Sequence, residues 1–154
     1  MRTIVRWIAT LGPVGYAPIA PETAGSAVVA LAFLLAPPVP MPIFAAMILC
    51  GTAFAIWIAD EAEKQLGHDA HPIVIDEVVG QMLALVLVPH TWIAYGIAFA
   101  LFRVFDVWKP LGAHEAQALP GGVGVVTDDV IAGITACGAF HLGAWAMRAA
   151  GWTR

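Results

Sequence analysis

Charged side chains are scarce in this sequence. Only 12% of its 154 residues are Asp, Glu, Lys or Arg, whereas 60% are hydrophobic, and the mean hydropathy is +0.83. Soluble domains carry roughly 25% charged and about 45–50% apolar residues. The formal net charge of −4 also provides no basic surface for DNA or RNA, so we expect no nucleic-acid partner. The composition is typical of an integral membrane protein.

Cysteines, repeats and strand patterns are also few or absent. The two cysteines, Cys50 and Cys137, lie inside apolar runs, where they form neither a disulfide framework nor a metal-binding spacing. No internal repeat, linker or alternating strand pattern divides the chain. We therefore expect one all-α domain over residues 1–154.

Three long windows without any charged residue, 27–59, 78–102 and 130–147, carry the membrane signal. Prolines and glycines divide them into five predicted helices, at about residues 23–36, 43–64, 75–88, 91–108 and 127–150. The first and third are about 14 residues long, or ~21 Å, which is short of a ~30 Å hydrocarbon core. The predicted fold is therefore a membrane-embedded bundle of about five helices, some of them short or re-entrant.

Alternation of these helices across a bilayer places most charged helix ends at one face. Five of the seven basic residues fall on that side: Arg2, Arg6, Lys64, Arg103 and Lys109. Under the positive-inside rule this face is cytoplasmic. The turns on the opposite side, at 37–42 and 89–90, hold no charged residue.

Acidic residues at three helix ends are the main candidates for chemistry. Asp76 and Glu77 begin the third helix, Asp106 ends the fourth, and Asp128 and Asp129 begin the last. One interpretation is that these acids only stabilise helix ends through the helix dipole, with Thr127 as an N-cap. The other is that they converge on a cation, because clusters of carboxylate oxygens suit Mg²⁺. We predict all five as metal ligands, and Asp76, Asp106 and Asp128 as catalytic residues.

Two further segments carry groups suited to an anion. Arg103, Asp106 and Lys109 share one helix face and either form a helix-end ion pair with a snorkelling lysine or hold a phosphate beside the metal. Thr23 and Ser26 lie in a turn that begins a helix, either as an ordinary cap or as an anion site. We predict substrate binding by Arg103, Lys109, Thr23 and Ser26, with Lys109 also catalytic.

Four segments in the same order resemble the phosphatidylglycerophosphatase A family. They are APETAGS at 20–26, IDEVVGQ at 75–81, FRVFDVWKP at 102–110 and GGVGVVTDDVIAG at 121–133. The resemblance implies a bacterial inner-membrane, Mg²⁺-dependent phosphatase that converts phosphatidylglycerophosphate to phosphatidylglycerol. Glu22 stands where the family usually has glycine, which weakens a phosphate-binding turn or makes Glu22 another metal ligand.

The residues themselves are compatible with that activity. Neither cysteine has an arginine six residues later, and no Asp-x-Asp or lipid-phosphatase histidine pair occurs, which leaves hydrolysis by metal-activated water. The expected partner is phosphatidylglycerophosphate in the membrane, with no protein partner. The alternative is a non-enzymatic membrane protein, such as a transporter or assembly subunit, with a charged cytoplasmic face.

Overall fold

The computed structural model describes residues 2–67, 70–109, 115–116 and 119–151, and within these residues the chain is helical and contains no strand. Six helices are defined there: α1 Arg2–Ala9, α2 Pro21–Leu35, α3 Met41–Leu66, α4 Ile75–Ala84, α5 Trp92–Trp108 and α6 Gly122–Ala149. The expected all-α class is confirmed. The additional helix, α1, is a short N-terminal segment that the predicted set of five did not include.

Two helix ends differ from the prediction. Helix α4 ends at Ala84 rather than near Val88, because a tight turn follows in which Leu87 adopts a φ of +57°. Helix α6 begins at Gly122 instead of Thr127, whose hydroxyl donates to the carbonyl oxygen of Val123. Thr127 is therefore not an N-cap, and the two acids that follow it lie beyond the first turn of α6.

Helix α6 contacts α3, α4 and α5, while α2 lies against α4 and α5, and α1 packs on α3. Small residues allow close approach between α4 and α6, where Ala84, Ala132 and Ala136 are fully buried around the ring of Phe102. The packing aligns the N-terminal ends of α2, α4 and α6 with the C-terminal end of α5.

Two of the described helices, α3 and α6, are long and apolar enough to cross a membrane. Their outer surfaces carry large exposed apolar side chains such as Leu49, 73% exposed, and Leu142, 68% exposed. Helices α2, α4 and α5 contain 15, 10 and 17 residues, or ~22, ~15 and ~26 Å, each less than a ~30 Å hydrocarbon core. By length and composition, α3 and α6 are therefore the candidate membrane-spanning segments among the described helices.

Candidate active site

A cavity of about 230 Å³ lies where the ends of four helices meet. Lys109 lines it, together with six acidic residues. These are Glu22, Asp76, Glu77, Asp106, Asp128 and Asp129. The structure thus brings together all five acids that the sequence predicted as metal ligands and adds Glu22.

Each acid has a defined place in its helix. Glu22 lies in the first turn of α2, and Asp76 and Glu77 occupy the first turn of α4. Asp106 lies in the last turn of α5, whereas Asp128 and Asp129 lie in the second turn of α6. Most are removed from solvent, and only 2% of Glu77 and 3% of Asp129 is exposed.

A glycine pair sets the distance between α4 and α6 beside the cavity. A Cβ atom on Gly133 would lie 2.3 Å from the carbonyl oxygen of Gly80, and one on Gly80 would lie 2.9 Å from that of Asp129. Asp76 and Asp129 each precede one of these glycines by four residues, or about one helical turn. The close crossing therefore brings acids from the two helices to the same cavity.

We expect Gly80→Ala to lower the melting temperature in detergent by on the order of 5 °C. The added methyl group would lie 2.5 Å from the Phe102 ring as well as against α6, so the helices must separate. Gly138→Ala is the matched control, because its methyl group would meet nothing within 4 Å. Equal melting temperatures for the two variants would contradict this role for Gly80.

Two groups of carboxylates are arranged so that each can hold a metal ion. Glu22, Glu77 and Asp106 form one group, in which the ligand oxygens all lie within 4.8 Å of one another. The second group consists of Asp106, Asp128 and Asp129, with oxygens within the same distance. Asp106 belongs to both groups and is therefore the central acid of the site.

Unpartnered oxygens support a cation at the second group. Among the described residues, Oδ1 of Asp128 and Oδ2 of Asp129 are buried and accept no hydrogen bond. Buried carboxylate oxygens without a partner are costly, and hard cations such as Mg²⁺ and Ca²⁺ prefer oxygen ligands of this kind. The donor set fits a hard divalent cation.

Arg103 holds several of these carboxylates in place. Its Nη1 donates to both carboxylate oxygens of Glu77 at 2.8 Å, and Nη2 lies 3.1 Å from Oδ2 of Asp106 and 3.5 Å from Oε2 of Glu22. The guanidinium thus contacts every member of the first metal-binding group. It is not among the residues that line the cavity.

Lys109 is placed differently, because it is one of the residues that line the cavity. Its Nζ donates to Oδ2 of Asp128 at 2.6 Å, and its backbone ends α5 in the left-handed conformation with a φ of +48°. One oxygen of Asp128 is therefore paired with Lys109 while the other remains unpartnered.

The site carries more negative than positive charge. Six carboxylates face two cations, Arg103 and Lys109, which leaves four unbalanced negative charges when all are ionised. Two carboxylates ~4.8 Å apart repel by on the order of 3 kcal/mol at an effective dielectric constant of about 20.

At the start of α4, burial makes ionisation of the carboxylates still less favourable. Burial and the neighbouring charge of Glu77 raise the pKa of Asp76 well above its usual range. Burial also raises the pKa of Glu77 to about 8, although the charge of Arg103 opposes this shift. A bound cation would keep both groups ionised at neutral pH.

Of the remaining predicted site residues, one lines the cavity and two do not. Asp76 lines the cavity but belongs to neither group of three. Ser26 is fully buried, and its hydroxyl donates to the carbonyl oxygen of Glu22 at 2.9 Å. Neither Ser26 nor Thr23 lines the cavity.

Two ionisable residues that line the cavity, Glu22 and His71, were not among the predicted site residues. The side chain of His71 is 85% exposed, and its Nδ1 lies 3.6 Å from Oε1 of Glu22. For Glu22 the sequence offers two signals: it replaces the glycine usual in the resembled family, and it lies next to the predicted start of the first helix. His68, the other histidine of this loop, lies outside the described residues.

Comparison with known proteins gives a consistent result. The profile of the family described as "Phosphatidylglycerophosphatase A" matches residues 7–144. Phosphatidylglycerophosphatase A of Escherichia coli is 30% identical over 132 residues, which cover 82% of this chain and 76% of that protein. The Haemophilus influenzae protein of the same name is 42% identical over 71 residues, or 45% of this chain and 44% of its own.

A third relative has a different name. A Bacteroides thetaiotaomicron protein, named as a candidate phosphatidylinositol-3-phosphatase, is 42% identical over 128 residues, which cover 78% of this chain and 80% of that protein. No solved structure matches this one at a significant level. The family profile and the curated relatives support a phosphatidylglycerophosphatase, and the chain belongs to the phosphatidylglycerophosphatase A family.

Proposed function

We propose that this protein hydrolyses the phosphomonoester of phosphatidylglycerophosphate, giving phosphatidylglycerol and inorganic phosphate, and that it requires Mg²⁺. The observation that carries the proposal is the cavity in which two groups of carboxylates share Asp106 beside the ammonium of Lys109. Family membership supports the substrate, and the donor set supports a hard divalent cation.

The chain's own residues divide the work of the site. Glu22, Glu77, Asp106, Asp128 and Asp129 would hold Mg²⁺, which polarises a phosphoryl group and lowers the pKa of a bound water. Lys109 faces the cavity, so its ammonium is placed to bind a phosphate oxygen. The contacts of Arg103 change the role we propose for it: it positions the carboxylates and does not itself bind substrate. Asp76, which belongs to neither metal-binding group, is the carboxylate available to accept a proton.

For Thr23 and Ser26 we propose a structural role instead of substrate binding. The hydroxyl of Ser26 donates to the backbone of α2, and neither residue lines the cavity, so we propose that both support the first turn of α2. That turn carries Glu22 to the site.

The membrane arrangement is also part of the proposal. We place the acidic cavity at the cytoplasmic face of the bacterial inner membrane, with α3 and α6 crossing the bilayer and the shorter helices within or near one leaflet. The charge asymmetry of the helix ends supports this orientation. A lipid phosphomonoester at headgroup depth would then meet the cavity while its acyl chains remain in the leaflet.

Phosphate release by purified protein in detergent tests the function. We expect turnover of phosphatidylglycerophosphate with Mg²⁺ to exceed that of phosphatidylinositol-3-phosphate and phosphatidic acid at matched concentrations. Greater turnover of phosphatidylinositol-3-phosphate would assign the chain the activity named for its Bacteroides thetaiotaomicron relative. Absence of phosphate release from all three lipids would favour the non-enzymatic alternative.

A further inference from the structure

An apolar groove of about 220 Å³ runs between the two helices that carry Glu22 and Asp106, α2 and α5. Its walls include Ala27, Ala30, Leu31 and Leu34 of α2, and Gly96 and Phe99 of α5. The groove is open on its outer side, where Leu31 is 47% exposed. No charged residue lines it.

The groove begins near the acidic cavity and continues away from it. Ala27 and Leu34 lie five and twelve residues beyond Glu22, or ~8 and ~18 Å along the axis of α2. On α5, Phe99 and Gly96 precede Asp106 by seven and ten residues, or ~10 and ~15 Å. The groove therefore spans about 10 Å from Ala27 to Leu34, roughly two thirds of the ~15 Å depth of one leaflet of hydrocarbon.

We propose that this groove binds an acyl chain of the lipid whose phosphate enters the acidic cavity. The inference rests on the proposed function, because it takes the substrate to be a membrane lipid. A lipid with its phosphate beside Glu22 and Asp106 has its chains along the same two helices. The groove therefore selects substrates that carry a long acyl chain.

Gly96 lines the groove and is itself exposed. A Cβ atom added there would meet nothing within 4 Å, so a larger side chain has open space in which to extend at this wall of the groove. Glycine is also a poor residue for a helix interior, and here its missing side chain leaves space for a ligand.

The test compares Gly96→Leu with Gly138→Leu. Gly138 lies on α6, away from the groove, and its added Cβ would likewise meet nothing within 4 Å. Each variant is assayed on long-chain phosphatidylglycerophosphate and on the same headgroup without acyl chains, glycerophosphoglycerophosphate. Gly96→Ala provides a milder member of the series, and melting curves in detergent show that each variant is folded.

We expect Gly96→Leu to raise KM for the long-chain lipid at least about tenfold, the effect of excluding roughly two methylenes from an apolar site. Turnover of the deacylated headgroup should equal that of the wild type, Gly96→Ala should have a smaller effect, and Gly138→Leu should change neither substrate. Equal KM values for Gly96→Leu and Gly138→Leu, or an equal loss on both substrates, would overturn the proposal. A changed oligomeric state with Gly96→Leu would assign the groove to a second copy of the chain.

A separate binding measurement distinguishes failure of the groove from failure of the proposed function. If the wild type hydrolyses no lipid, the proposed function fails, and native mass spectrometry of bound long-chain phosphatidylglycerol still tests the groove. We expect the wild type and Gly138→Leu to retain this lipid and Gly96→Leu to lose most of it. Equal retention by all three proteins would overturn the acyl-chain site by itself.

Discussion

Replacing Asp106 with asparagine is expected to lower kcat by on the order of 10²–10³-fold, the usual effect of removing one electrostatic stabiliser of a transition state. Asp106 supplies oxygens to both metal-binding groups, so its loss affects both at once. Glu22 belongs to one group only and is 44% exposed. Glu22→Gln should therefore cost less than Asp106→Asn.

Glu61→Gln is the matched control for the loss of a negative charge. Glu61 is an acid on α3 that pairs with Lys64 and lies outside the acidic cavity, so this variant should retain wild-type turnover. Melting curves in detergent should show all three variants folded. Near-native kcat for Asp106→Asn would return Asp106 to the role of a helix-end ion pair with Arg103.

Removal of divalent metal should reduce phosphate release to the level of a protein-free control. Without metal, each carboxylate of the cavity either stays ionised and repels the phosphomonoester or takes up a proton and offers it no positive charge. Productive binding therefore requires the added charge of the cation. Restoring Mg²⁺ in excess over the chelator should restore turnover. Ca²⁺ should restore less, because it is larger and takes six to eight ligands at longer distances.

The measurement is turnover against free metal concentration at constant ionic strength, so that screening alone does not change the rate. Asp106→Asn, with its weakened site, should need more Mg²⁺ to reach half of its own maximal rate. Undiminished turnover in excess chelator would rule out the metal-dependent mechanism.

The helix class and most boundaries could be predicted from the pattern of apolar runs, prolines and glycines. The early end of α4 could not, because the apolar run continues through Val88 while the backbone turns at Leu87. The sequence also does not reveal that α6 begins at Gly122. Gly122 disfavours a helix by propensity, but a Cβ there would lie 2.0 Å from the carbonyl oxygen of Ile56, so tertiary packing with α3 requires glycine at that point.

The meeting of the acids could be predicted, because helices that alternate in direction bring their charged ends to one face. The partners of Arg103 could not. Its spacing from Asp106 indicates a shared helix face, but its two hydrogen bonds to Glu77 depend on how α4 packs against α5. The spacing along α5 therefore identifies Arg103 as a candidate, but it does not predict whether the guanidinium faces substrate or carboxylates.

Direct titration of the purified protein with Mg²⁺ tests the central claim, that the shared carboxylate cluster is a metal site. Calorimetry in detergent should show saturable binding to the wild type and to Glu61→Gln, and binding weakened at least about tenfold in Asp106→Asn. Absence of saturable Mg²⁺ binding to the wild type, or equal affinity in Asp106→Asn, would contradict the metal site.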